Sequence, residues 1–198
     1  MHNLGLAPGL CPTHKAHHTK PRRLARELYQ YTLGTQAHSI ALINSFTKMQ
    51  PLNFPAFQFR FAKQGDKELI FDPVRKKMVA LTPEEWVRQN MLAYLVEIKQ
   101  VPLNLVGVEK QLIINGLVKR FDIAVFDRNA KPVLLVECKA PTISINQNVF
   151  DQAARYNLQL NVNYFFITNG LQHFCCRIDY ENSSYKFVED LPLYPDLK

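Results

Sequence analysis

Glycine is scarce in this chain, with seven in 198 residues, and no Gly-rich phosphate loop can be read. GxSxG, HExxH and the Walker A pattern GxxxxGK[ST] are missing, so serine-hydrolase, zincin and nucleotide-binding readings have no support. ATP-driven translocation is therefore expected to reside outside this sequence. The four cysteines show no CxxC spacing, which excludes a disulfide framework and a thiolate zinc site as starting points. No apolar run approaches the ~20 residues that span a bilayer. The opening MHNLGLAPGLCPTHKAHH lacks a basic segment followed by an apolar one, so no secretory signal is expected. A reduced, cytoplasmic protein without a membrane partner is the expectation. Hydrophobic residues at 47% and charged residues at 21% fit a globular fold.

Acids are nearly absent from the first 48 residues, where Glu27 stands alone against Lys15, Lys20, Arg22, Arg23, Arg26 and Lys48. That stretch carries net +5, and the remaining residues only +2 of the total +7. Two parts are expected: a basic arm over 1–48 and a folded body over 49–198. The arm has one candidate short helix, Arg22 to Tyr31, and a His cluster at His2, His14, His17 and His18. It reads equally as a flexible tail or as an extension upstream of a natural start at Met49. His38 and His173 stand alone, and structural roles are expected for both.

The body punctuates itself. Phe54 to Phe61 and Glu68 to Phe71 read as strands. Thr82 before Pro83, Glu84 and Glu85 is a helix opening: a hydroxyl cap, proline at the first helical position and acids at the positive end of the dipole. That helix is expected to reach about Lys99, before Pro102. Strands follow over Leu105 to Ile114 and Leu117 to Phe126 around an Asn115-Gly116 turn, then over Pro132 to Cys138. A second helix is expected from Asn148 to Leu160, and strands over Asn163 to Thr168, Leu171 to Ile178 and Tyr185 to Val188. Helices alternating with such strands imply an α/β fold with a mixed central sheet flanked by helices.

The chemistry concentrates at PVLLVECKA. Val133 to Val136 is an apolar run suited to a central strand, and it ends in Glu137 and Lys139. Strand residues two apart share a face, so the carboxylate and the ammonium stand together while Cys138 faces the other way. In the preceding strand, Phe121, Ile123 and Val125 take one face, leaving Arg120 and Asp122 on the other. A short turn makes the two strands antiparallel, which lets Asp122 approach Glu137. Such a set admits two readings: an ion-pair cluster at a sheet rim, or a hard-oxygen site for Mg²⁺ with a lysine to orient water for phosphodiester hydrolysis. Downstream, Gln152 and Tyr156 are four apart and share one face of the second helix. The bases Arg75, Lys76, Lys77, Lys119 and Arg120 are those of the body best placed for phosphate contacts.

The runs KRFDIAVFD, KPVLLVECKAP, FDQAARYN and ITNG resemble the N-terminal nuclease domain of type I restriction enzyme R subunits, within the PD-(D/E)XK superfamily. The small stand-alone members are the most similar, and the resemblance covers about three quarters of the chain, leaving out the arm. It implies a PD-(D/E)XK nuclease-like core that uses Mg²⁺, or Mn²⁺ in its place. Asp122 and Glu137 match the metal-binding acids, a main-chain carbonyl near Cys138 completes the set, and Lys139 matches the catalytic lysine. Gln152 and Tyr156 match the Q-x3-Y motif of that branch. A glutamate on the first helix near the metal is a superfamily feature; Glu85 is the choice here and Glu84 its rival. Glu109 is expected at a rim rather than on the metal. Phe121 stands where the superfamily signature has proline.

The function expected from this resemblance is Mg²⁺-dependent endonucleolytic cleavage of DNA. Its implied partners are DNA and other restriction or helicase-type subunits, and a homodimer would allow two copies to cut both strands. The alternative is a non-catalytic nucleic-acid-binding or partner-docking module on the same fold. A nearly neutral body favours weak intrinsic DNA affinity, because phosphate neutralisation supplies most non-specific binding.

Overall fold

A computed structural model describes residues 49–114, 116–146, 150, 162–182 and 184–197. The basic arm and nearly all of the helix expected over 148–160 lie outside the described residues. In chain order the elements are β1 (Phe61–Gln64), β2 (Lys67–Asp72), β3 (Lys77–Ala80), α1 (Pro83–Ala93), β4 (Val106–Val108), β5 (Gln111–Ile114) and β6 (Leu117–Arg120). They continue with β7 (Ile123–Phe126), β8 (Pro132–Cys138), β9 (Tyr164–Thr168), β10 (His173–Asp179) and β11 (Ser184–Val188). The fold is mixed α/β. A six-stranded sheet runs β11-β10-β9-β8-β7-β4, beside a three-stranded meander β1-β2-β3 and a two-stranded ribbon β5-β6. Among the described residues no helix is long and apolar enough to cross a membrane.

In the large sheet, among the described residues, β8–β9 is parallel and β4–β7, β7–β8, β9–β10 and β10–β11 are antiparallel. The chain between Cys138 and Tyr164 has the length that a parallel crossover requires. β8 is central, and its Val133 to Val136 run is buried. Alternation sorts the side chains onto two faces. Leu134, Val136, Cys138, Tyr164, Phe166 and Cys175 join one core. Leu135, Phe165, Ile167 and Cys176 join the other. The adjacent cysteines 175 and 176 thus point to opposite faces, and both are free thiols that burial pushes up to about 12.

α1 begins as its sequence dictates. Thr82 Oγ1 accepts the Glu85 amide at 3.0 Å, and Pro83 takes the first helical position. Val87, Met91, Leu92 and Leu95 form its apolar stripe, each buried against the first core. Burial of such side chains stabilises by roughly 1.5–3 kcal/mol each. The helix continues to Ile98 with wider π-type turns, closed by the Lys99 amide on the Tyr94 carbonyl at 3.0 Å.

Three expectations need correction. Residues 54–60 do not pair as a strand; regular pairing begins only at Phe61. Their aromatic alternation serves packing instead, with Phe59 edge-on to Trp86 at 5.1 Å and Phe57 buried. β3 stands where no strand was expected, and it closes the meander by pairing Leu69 with Ala80 through Asp72 with Lys77.

The third correction bears on function. The two long strands expected over 105–114 and 117–126 are each broken, at Glu109-Lys110 and at Phe121-Asp122. Glu109 takes a φ of 50°, in the left-handed region. Two hydrogen bonds still bridge the break, Glu109 N to Asp122 O at 3.0 Å and Phe121 N to Lys110 O at 3.4 Å. Face alternation is lost there. Phe121 packs into the second core while Ile123 and Val125 pack into the first. β5-β6 therefore leaves the sheet as a separate ribbon, and Asp122 sits at the step.

Candidate metal centre

Asp122 precedes β7, and Glu137 and Lys139 lie at the end of β8. The β7–β8 register pairs Ile123 with Val136, which sets Asp122 beside the last residues of β8. The Cys138 amide donates to Asp122 Oδ2 at 2.7 Å, and Lys139 Nζ donates to Glu137 Oε1 at 2.5 Å. All three of these sequence-derived residues therefore meet at one place. Cys138 contributes its backbone; its side chain is fully buried, and burial pushes the thiol well above its ordinary value.

Burial also pushes the Glu137 carboxyl upward, the Asp122 charge adds to the shift, and Lys139 opposes both without cancelling them. Burial favours the neutral amine of Lys139, yet the hydrogen bond and charge of Glu137 outweigh it and hold the ammonium above its ordinary value. Two carboxylates thus converge with a single ammonium directly paired to one of them. Among the described residues no three His, Cys, Asp or Glu side chains gather closely enough to hold a metal ion by themselves. Mg²⁺ does not need three: it binds through one or two carboxylates and keeps several waters or substrate phosphate oxygens. The donor set here, two carboxylates near a strand-end backbone, fits that habit.

Behind this cluster lies an acid–arginine network that sequence reading missed. Arg88 Nη2 donates to Asp122 Oδ1 at 2.7 Å and to Glu84 Oε1 at 2.9 Å, while Nη1 donates to Glu85. Arg75 donates from Nε to Asp72 at 2.6 Å, from Nη1 to Glu109 at 2.6 Å, and from Nη2 to Glu85. Gln89 Nε2 donates to both Asp72 and Glu85. Asp72 is fully buried and also accepts the amides of Val74 and Arg75. Burial alone would lower the Arg88 pKa; the Asp122 and Glu85 charges outweigh it and hold the guanidinium protonated. The network joins the β2–β3 turn, the first turns of α1 and the stem of the β5-β6 ribbon to Asp122.

This placement separates the candidate glutamates. Both oxygens of Glu85 are taken by arginines, and the residue is buried. Glu84 is half-exposed, bonded through one oxygen to Arg88, and its charge is felt by Glu137 and Lys139. Glu109 is held by Arg75 and Arg120, whose charges keep its carboxyl below the ordinary value against the pull of burial. Arg75, expected as a phosphate contact, is instead committed to acids. His173 has the structural part expected of it: Nε2 donates to the Asn53 carbonyl at 3.0 Å, and Thr168 Oγ1 donates to Nδ1 at 2.8 Å. Gln152 and Tyr156 lie outside the described residues. The i, i+4 spacing of Glu84 with Arg88 and of Glu85 with Gln89, and the i, i+3 spacing of Glu85 with Arg88 and of Asp72 with Arg75, were the sequence signals that pointed to the network.

A family comparison agrees with the resemblance to type I restriction enzyme R subunits. The family model described as type I restriction enzyme R protein N terminus (HSDR_N) matches residues 83–192, more than half of the chain. A solved fragment, described as an HsdR subunit of a type I restriction enzyme from Vibrio vulnificus YJ016, aligns at 20% identity with a TM-score of 0.38. The alignment covers 56% of this chain and 24% of that one, so the chain spans about a quarter of the fragment's length. No curated protein matches. The matched span of the family holds α1, Asp122, Glu137 and Lys139, and the chain belongs to the type I restriction enzyme R protein N-terminal family.

Proposed function

We propose that this domain is a Mg²⁺-dependent endonuclease that hydrolyses phosphodiester bonds of DNA on a PD-(D/E)XK core. The observation that carries the reading is the convergence of Asp122, Glu137 and Lys139 at the broken edge of β7 and the end of β8. Asp122, Glu137 and a main-chain carbonyl near Cys138 would hold the ion, with Mn²⁺ as a substitute. Glu84, rather than Glu85, is the helix acid placed to join them, because among the described residues arginine engages one of its oxygens and both of those of Glu85. When bound, the ion supplies Lewis-acid polarisation of the scissile phosphate.

The chain's own groups set the rest. Lys139, paired with Glu137 beside the site, would orient the attacking water and stabilise charge on the phosphate. Glu137 Oε1 accepts from Lys139 and fixes that ammonium beside the site. Gln152 and Tyr156 complete the assignment as contacts to substrate or to Lys139. The basic arm over 1–48 is proposed as a separate part that adds phosphate affinity the body lacks. Subunits that supply ATP-driven translocation are the proposed partners, with a homodimer as the arrangement for double-strand cutting.

The test is nicking of supercoiled plasmid by the full chain at low ionic strength. Nicking that requires Mg²⁺ or Mn²⁺ and stops with EDTA is the expected result. Salt-sensitive DNA binding with no cleavage under any metal would instead select the non-catalytic binding or docking module.

A further inference from the structure

Arg88 is the strongest group near the site that the proposed chemistry leaves without a role. It is buried, 4% exposed, on the helix face that meets the step before β7. Its guanidinium reaches Asp122, Glu84 and Glu85, while its Nε is buried with no partner among the described residues. A buried donor left without a partner calls for a purpose that the rest of the group serves.

Asp122 shows what that purpose is. Its carboxylate is gripped from two elements at once, by Arg88 on Oδ1 and by the Cys138 amide on Oδ2, each at 2.7 Å. One donor per oxygen fixes the plane of the carboxylate and leaves each oxygen a second lone pair. The group is oriented without being used up. Glu85 fixes Arg88 in turn, and Arg75 fixes Glu85 without touching Asp122.

We infer that Arg88 is a positioning residue, which holds the Asp122 carboxylate by one oxygen in the orientation that receives the divalent ion. The inference rests on the proposed metal site. Groups that orient metal ligands in this way are worth about 10–100-fold in metal affinity.

Mn²⁺ is the probe, titrated calorimetrically into the full chain as wild type, Arg88→Lys and Arg75→Lys. Thermal unfolding of each without metal is recorded alongside. Both substitutions keep the charge and lose the forked reach of the guanidinium. Both are expected to lower the melting temperature, because both arginines tie buried acids. Only Arg88→Lys is expected to weaken Mn²⁺ binding, by about tenfold or more, with Arg75→Lys changing it by less than about twofold. A merely structural role would weaken binding in parallel in the two variants, and that result overturns the inference. Unchanged binding in Arg88→Lys overturns it too, as does tighter binding, which would make the guanidinium a competitor of the ion. Wild type that binds no Mn²⁺ overturns the metal site and this inference together, which distinguishes the two failures. If Arg88→Lys does not fold, Glu85→Gln removes the charge that fixes Arg88 and must show the same loss of Mn²⁺ affinity; unchanged binding there overturns the inference.

Discussion

Asp122→Asn is expected to lower the rate of metal-dependent DNA nicking by on the order of 10²–10³-fold, the cost of removing one fixed charge from a site that stabilises developing charge. The amide keeps one acceptor oxygen, but it presents an NH₂ group either to Arg88 or to the Cys138 amide, both of which are donors. It also removes the negative charge that a cation at Glu137 would share. The fold should survive, because Arg88 keeps Glu84 and Glu85 as partners and no buried cation is left alone. Relief of the repulsion on Glu137 works in the same direction. The check is initial nicking rate against melting temperature. Rate loss with a melting temperature close to wild type supports the assignment, and wild-type nicking by the folded variant refutes it.

Glu85→Ala should have the opposite profile. Its side chain is 6% exposed and lies between Arg88, 5% exposed, and Arg75, 15% exposed. Breaking a buried pair by removal of one partner costs about 3–5 kcal/mol; here Arg88 keeps Asp122 and Glu84, and Arg75 keeps Asp72 and Glu109, which places the cost at the low end of that range. Glu84→Ala, one residue away, removes a half-exposed carboxylate, and exposed pairs contribute only about 0–1 kcal/mol. Urea unfolding of the two variants separates the neighbours. Glu85→Ala shifts the midpoint strongly, while Glu84→Ala leaves it near wild type. Equal midpoints would mean that the buried pairs of Glu85 contribute no more to the fold than the half-exposed pair of Glu84.

Much of the sheet was legible because period-two alternation and short polar turns leave a direct mark on sequence. PVLLVEC announced a central strand, and DRNAKP announced its antiparallel partner β7, so the meeting of Asp122 with the end of β8 followed. The capped opening of α1 was legible for the same reason: Thr82 and Pro83 act locally. The break at Glu109-Lys110 and Phe121-Asp122 left no such mark. No glycine stands there, and the run FDIAVFD alternates smoothly across the point where the faces exchange. Residues 54–60 misled for a related reason, since aromatic alternation records which side chains are packed and not whether the backbone has a partner strand.

The site was half legible. The nearness of Glu137 to Lys139 was legible because strand residues two apart share a face, and the approach of Asp122 to the end of β8 because a short turn makes β7 and β8 antiparallel. The acids' counter-ions were not, because Arg75 meets Glu109 and Arg88 meets Asp122 across 34 residues of sequence in each case. Nothing local specifies those pairings. The choice between Glu84 and Glu85 turned on the same network, which engages one of them fully and the other through a single oxygen.

The central claim is that Asp122 and Glu137 form a divalent-cation site. The most direct test is calorimetric titration of Mg²⁺ into the full wild-type chain and into Glu137→Ala. The account predicts saturable binding in the wild type and its loss in the variant. Equal binding in both proteins, or no binding in the wild type, would contradict it.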